Sequence, residues 1–511
     1  MRGIWLRGEG RGRLVPWSHV VLGLTFPLAL LFFLVLAVQH QEPILEWLVY
    51  ARLRQDPRGY QVAGAILKER VGSSFYNVLV NPQTPARSQL SVVRIYSGDT
   101  SLEALTEEPD REPRPYLPAY LVEDGQLKGC HIALRGFGHW HHAPEKPSLR
   151  VKVKRSDVGR SARFQDLTRP EGPLALGNWL PEQIGKEYGL LGQRSDHVAV
   201  FFNHHYLGVY DRGYRAGDEL AARLERNGGT FFKGDIVGPG GSVGAPGRSL
   251  WTGLQEWKVL GADTPQARGE FEQMLAELAQ DQVPSRLDLE AMARWSALMA
   301  FFGSAHADAF HNQVFFYDPQ RRVFEPVVWD VNGLGIQLPA EAPLDLAPGP
   351  LEARLMREPS WRARRAQVLY QLVQDPRVDA TVEAELDRLR PWLSADPGLS
   401  RVERTPVGVN RLRRYSTGEL PRLESQARQW LSNRRQVVRD YLARAEVRQQ
   451  DGQVWVDGNV PVRAGGRLLY PGLAPERVPY RFNLANLVSQ PRSYRAEGPF
   501  FNAVTGQPIM P

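Results

Sequence analysis

Cysteine is almost absent from this chain: Cys130 is the only one among 511 residues. That excludes an intrachain disulfide and a multi-cysteine zinc site. A single Cys beside a β-like stretch reads as a small buried hydrophobe with no catalytic role. Clustered positive charge is missing too. The 63 Lys and Arg stand against 56 Asp and Glu, a net charge of +7, and no run of five or more basic residues occurs, so no nucleic acid is expected among the partners. The small basic excess suits attraction of an anionic substrate such as a nucleotide. There is no internal repeat, no Walker phosphate loop and no G-x-G-x-x-G turn. The Gly/Pro segment 238–247 therefore reads as a mobile connector rather than a phosphate-covering lid. The histidines at 139, 141 and 142 share one loop without ordered ligand spacing, and no metal site is expected there.

At 42% hydrophobic and 23% charged, the composition is that of an ordinary globular protein. Its longest apolar feature is an uncharged run of 19 residues, Val20 to Val38, enough for a helix to cross the ~30 Å hydrocarbon layer. Arg2, Arg7, Arg11 and Arg13 precede the run, whereas Glu42 and Glu46 are the first charges after it. This asymmetry predicts a single-pass membrane protein with a cytoplasmic N-terminus and an extracytoplasmic main domain. A cleaved signal peptide is the alternative, with Val35-Leu36-Ala37 as a small-residue cleavage site, but the length of the run favours a retained anchor. The expected organisation is a cytoplasmic N-terminus at 1–19, a transmembrane anchor at 20–38, a stalk and linker at 39–89, a main domain at 90–447 and a small β-rich appendage at 448–511.

The stretch Ser304 to Gly335 concentrates candidate chemistry. Val314 to Tyr317 and Val323 to Trp329 are β-formers joined by the turn residues Asp318-Pro319-Gln320-Arg321, which predicts a hairpin centred near Arg321. In that register Asn312 faces Asp330 across the open end, roughly 5 Å away, with Asp308 just upstream. Two carboxylates and an amide are hard oxygen donors, better suited to Mg²⁺ than to Zn²⁺. They carry the logic of phosphoryl transfer, in which one Asp takes a proton or orients the nucleophile while an Asn and a second Asp hold Mg²⁺ on nucleotide phosphates. Asp308 takes the first role and Asn312 and Asp330 the second. Each residue singly is also an ordinary turn former; their joint placement favours the functional reading. Upstream, Leu149, Val151 and Val153 alternate with Arg150, Lys152 and Lys154, a basic row that either meets phosphates or is a solvated strand face.

These residues resemble the spore-coat protein H (CotH) kinase-like family from about Leu90 to Ala445. The resemblance rests on ALRGFGHWHHAPEKPSLRVKVK, with its R-G turn at Arg135, on FFNHHYLGVY, on FFKGD, and most sharply on D-x-x-x-N followed by P-x-x-W-D, here Asp308, Asn312 and Pro326 through Asp330. It implies an α+β, atypical protein-kinase-like fold, an ATP- and Mg²⁺-dependent transferase acting on a protein or envelope component, Asp308 as catalytic aspartate and Asp330 as metal ligand. Lys152, then Lys146, would contact the nucleotide phosphates together with Arg135. The chain departs from the family at Pro147, where Lys is common, at Tyr214, where an acid is expected, and at Asn332, where W-D-x-D has a second carboxylate. Those departures support the alternative of a non-catalytic scaffold that binds a surface or assembly partner.

Overall fold

The computed structural model describes residues 23, 25–32, 90–97, 101–106, 114–123, 126–136, 140–143, 145–155, 163–193, 195–202, 205–226, 228–236, 248–404, 410–477 and 485–511. The expected N-terminus at 1–19, the stalk at 39–89 and the connector at 238–247 lie outside these residues. Two compact units are distinguished, one comprising Met1–Val80 with Glu403–Arg414, the other Asn81–Val402 with Tyr415–Pro511. In the first, residues 25–32 are helical and Asn410–Arg414 is a strand.

The single-pass membrane expectation is corrected here. Among the described residues no helix is long and apolar enough to cross a membrane. The extracytoplasmic placement that followed from the anchor falls with it.

Among its described residues the larger unit carries twelve strands up to Val328: β1 (Ser91–Tyr96), β2 (Leu117–Glu123), β3 (Gln126–Leu134), β4 (Leu149–Val153), β5 (Phe164–Thr168), β6 (Leu191–Gly192), β7 (Asp196–Phe202), β8 (His205–Tyr214), β9 (Thr230–Gly234), β10 (Trp257–Gly261), β11 (Gln313–Asp318) and β12 (Val323–Val328). The expected α+β, kinase-like class is also corrected: the fold is mixed α/β, with a closed seven-stranded barrel in the order β1-β2-β3-β4-β5-β8-β7. The barrel closes because β1 pairs in parallel with β7, Ser91 opposite Val198 through Ile95 opposite Phe202. Alternation fills its interior: Leu149, Val151 and Val153 of β4 pack with Val93, Ile95, Val198, Val200 and Cys130.

Beside the barrel lies a five-stranded sheet, β10-β9-β11-β12-β6, whose aromatic side chains build the main core. Phe232 stacks on Phe271 with ring centroids 4.0 Å apart, and Phe324 meets both edge-on. Phe271 belongs to the helix Pro265–Ala279, which starts where the Thr264 side chain accepts from Ala267 N at 3.2 Å and Pro265 occupies the first turn. The apolar helix Leu289–Phe301 is capped likewise by Asp288, which accepts from Ala291 N at 2.9 Å. It packs against the helix Leu176–Glu187, where a side chain at Gly185 would press on Leu298 and Val328. From Ala445 onward the described chain is strands and turns around a small core of Val447, Val454, Val456, Val462, Leu469 and Phe500. One of these strands, Ala485–Gln490, pairs back onto Leu346–Ala347.

Candidate active site

The helix Leu289–Phe301 ends at Phe302, and Gly303, at φ +66°, turns the chain toward the candidate residues. Ser304 Oγ donates to the Val331 carbonyl, tying this segment to the far side of the hairpin. Asp308 then folds into a tight turn. Its Oδ1 accepts from Phe310 N at 2.7 Å, His311 N at 3.0 Å and His311 Nδ1 at 2.9 Å, while its own N–H donates to the His311 carbonyl at 3.2 Å. The other carboxylate oxygen, Oδ2, is buried and has no hydrogen-bond partner among the described residues.

The hairpin forms with a register one step from the expected one. Phe315 opposes Pro326 and Asp318 opposes Val323, which continued outward sets Asn312 against Trp329 rather than Asp330. A one-residue slip would send a side chain to the opposite face of a continuing ladder. The ladder stops instead at Gln313 and Val328, and both flanking residues take left-handed backbone, Asn312 at φ +57° and Asp330 at φ +46°. Asn and Asp tolerate that conformation, so the short polar residues at these positions suit the turn geometry.

His306 sits among them. Its Nδ1 donates to the Asp330 carbonyl at 2.7 Å, lies 3.7 Å from Asp330 Oδ2, and is within 3.3 Å and 3.0 Å of the side-chain amides of Asn312 and Asn332. The His306 ring meets that of His311 edge-on, centroids 4.8 Å apart. Burial works against charge on His306, yet the Asp330 carboxylate, Glu171, the Asp330 carbonyl and Asp308 together outweigh it and raise its pKa. Asp308, Asn312 and Asp330 are thus gathered around a pair of imidazoles.

The loop after Asp330 is held from the helix Leu176–Glu187. Asn178 donates from Nδ2 to Asp330 Oδ1 at 3.4 Å and accepts at Oδ1 from Asn332 N at 2.7 Å, while Gly333 N donates to the Gly177 carbonyl at 2.9 Å. Asp330 opens on a pocket lined also by Arg135, Asn178, Glu182, Ser195 and Asp211. Within it Glu182 accepts from Ser195 N at 2.9 Å and Ser195 Oγ at 2.5 Å. Arg135, at the end of β3, donates to Asp166 at 3.3 Å, and Arg150 donates to the same carboxylate at 2.7 and 2.8 Å. Burial resists the Asp166 charge, but Arg150 and Arg135 overcome it and hold its pKa below the usual carboxylate range.

The two expected phosphate lysines are elsewhere. Lys152 lies on β4 opposite His131 and Phe164, on the side turned away from the barrel core, with its ammonium 5.5 Å from the Tyr116 ring and 5.8 Å from that of Phe164. Lys146, buried just before β4, donates to Asp396 at 2.6 Å. Burial lowers its pKa, against the opposing pull of Asp396. A third lysine, Lys233 of the FFKGD strand, pairs with Asp235, whose Oδ1 accepts from Asn312 N at 3.2 Å. Sequence reasoning missed Asn178, His306, Asp235 and Asp211. Of these, His306 lies inside the same short segment as Asp308 and Asp235 closes the FFKGD stretch, so both gave a signal that could have been read.

Among the described residues no group of three or more His, Cys, Asp and Glu side chains is arranged to hold a metal ion. The donors present are nonetheless of the type Mg²⁺ takes: the Asp330 carboxylate, the Asn312 amide and a buried Asn332 Oδ1 without a hydrogen-bond partner. Mg²⁺ is ordinarily held by one or two carboxylates, with substrate phosphates and water completing the shell. A family model described as CotH kinase protein matches residues 134–438, a span that includes all six residues singled out from the sequence. No curated protein matches the chain.

Proposed function

The chain belongs to the CotH kinase family, and we propose that it transfers the γ-phosphoryl group of ATP to a hydroxyl of a protein or envelope acceptor in a Mg²⁺-dependent reaction. The observation that carries this reading is the convergence of Asp308, Asn312 and Asp330 on His306 and His311, beside a pocket that Arg135 also lines. In the reaction the acceptor oxygen attacks the γ-phosphorus, its proton passes to the Asp308 carboxylate, and the bond from the γ-phosphorus to the bridging oxygen breaks to release ADP. Mg²⁺, when bound, neutralises phosphate charge, and Asp330 and Asn312 are the residues that would hold it. Asn178 keeps the Asp330 carboxylate in place, and Arg135 brings positive charge to the nucleotide side of the pocket.

A second reading, a partner-binding scaffold, draws on the two lysines: Lys146 is engaged by Asp396, and Lys152 stands over aromatic rings rather than in the pocket lining. One experiment separates the two. Thermal unfolding of the full chain with and without ATP and Mg²⁺ should show stabilisation by about 2.7 kcal/mol with nucleotide at 100 times its dissociation constant. The shift should need Mg²⁺ and fall sharply in Asp330→Ala. Absence of any shift, or one undiminished in that variant, would leave the scaffold reading standing.

A further inference from the structure

The two oxygens of Asp308 are in opposite conditions. Oδ1 is saturated by two backbone N–H groups and the imidazole of His311, all within 3.0 Å. Oδ2 is buried without a hydrogen bond from any of the described residues. A buried carboxylate oxygen left without a donor is costly, of order 1–3 kcal/mol, and such an orphan calls for a partner that arrives from outside the fold. The asymmetry is not imposed by the backbone alone. Phe310 N and His311 N would hold Oδ1 in any Asx-type turn, but they leave the carboxyl group free to tilt about its last bond. The third donor, from a ring wedged edge-on against His306 at 4.8 Å, removes that freedom. An ionised carboxylate only accepts hydrogen bonds, so His311 Nδ1 carries hydrogen and the ring acts here as a donor.

Resting on the reading of Asp308 as the base, we infer that Oδ2 is the atom that receives the acceptor's proton and that His311 is a positioning residue which fixes Oδ1 so that Oδ2 faces the acceptor hydroxyl. His311 itself touches neither nucleotide nor acceptor. Its contribution is orientational: a base that swings between two oxygens spends part of its time with the wrong one presented, and misplacement on the scale of 1 Å costs on the order of a hundredfold in rate. The side-chain contacts described for Asp330 and Arg135 at the pocket, with Asn178 and Asp166, do not include His311.

The test compares the full chain with His311→Phe, His311→Asn and Asp308→Asn, reading kcat and KM for ATP in transfer of radiolabelled phosphate to an acceptor or to water, alongside the ATP-induced thermal shift. Phe keeps the ring against His306 and lacks a donor; Asn offers Nδ2 close to where the imidazole Nδ1 stood. The expected result is a fall in kcat of about ten- to a hundredfold in His311→Phe, with KM for ATP and the thermal shift unchanged, and recovery to within a few-fold of the parent in His311→Asn. Equal losses in both His311 variants, a rise in KM for ATP, or full activity in His311→Phe would overturn the inference. If His311→Phe fails to unfold cooperatively, His311→Asn decides alone, a loss of tenfold or more counting against. Asp308→Asn keeps the two outcomes apart: if it retains transfer, the base assignment itself is wrong, whereas an inactive Asp308→Asn beside an unimpaired His311→Phe removes only the role of His311.

Discussion

The ion pair between Lys146 and Asp396 gives the most direct measure of what holds the barrel entrance to the helical part of the protein. Both side chains are almost completely buried, and Asp396 accepts from Lys146 Nζ at 2.6 Å, Val209 N at 2.8 Å and Gly398 N at 2.8 Å. Replacing Lys146 by Met keeps the aliphatic stem and removes the only positive charge among those donors. Two backbone N–H groups remain, too few to compensate a carboxylate out of water, so the loss should be about 3–5 kcal/mol, the range for breaking a buried pair from one side. Adding Asp396→Asn removes the stranded charge while leaving an oxygen for one of the backbone donors, and should recover about 1–2 kcal/mol of that loss through the coupling of adjacent sites. The assay is equilibrium urea unfolding of the full chain followed by the fluorescence of its 13 tryptophans. A loss below about 1 kcal/mol in Lys146→Met, the scale of an exposed pair, or a double variant less stable than the single, would refute the argument. The first outcome would mean that the pair is hydrated, the second that Asp396 is held by its backbone donors alone.

A second buried charge predicts a pH dependence. His197 is fully buried; burial disfavours its cation, but Asp211 at 3.2 Å and the hydrogen bond to Glu385 overcome that and raise its pKa to about 9. A histidine raised in the fold stabilises fully below its unfolded value near 6.5 and loses that contribution as pH climbs through the folded value. The stability difference between the parent and His197→Gln should therefore shrink by roughly 3 kcal/mol between pH 6 and 10, and a difference constant across that range would show that His197 is neutral. The third prediction concerns Gly208, at φ +117°, where a Cβ would strike the Asp396 carboxylate. Gly208→Ala should lower the unfolding free energy in urea by more than the ~1 kcal/mol of an ordinary glycine exchange, and a neutral outcome would show that β8 can shift away from Asp396.

Local patterns in the sequence reported local structure well. The alternation around Val314 and Val323 marks a real hairpin, and the apolar stretch before Phe302 is a buried helix. The register was misjudged by one because hairpin reasoning assumes a ladder that runs to its ends, whereas Asn312 and Asp330 leave it by left-handed turns. What depends on distant partners was not legible. The closure of the barrel needs Val93 beside Val200 in parallel, and nothing in either strand specifies that neighbour. Asn178 meets Asp330 across 152 positions and Lys146 meets Asp396 across 250, so the lysine in a basic strand-entry segment read as a phosphate ligand rather than as a buried strut. The run at 20–38 read as a membrane span on its hydropathy and its length in sequence.

Asn332 stands where the resembled family pattern has a second acid, and its surroundings show why the replacement is self-consistent. It is fully buried, with its amide nitrogen 3.3 Å from Asp330 Oδ1 and 3.0 Å from the His306 ring. A carboxylate there would set two anions a few ångströms apart, as in sites that must share a proton. An uncharged amide at 332 instead lets Asn332 Nδ2 donate to Asp330 Oδ1 at 3.3 Å.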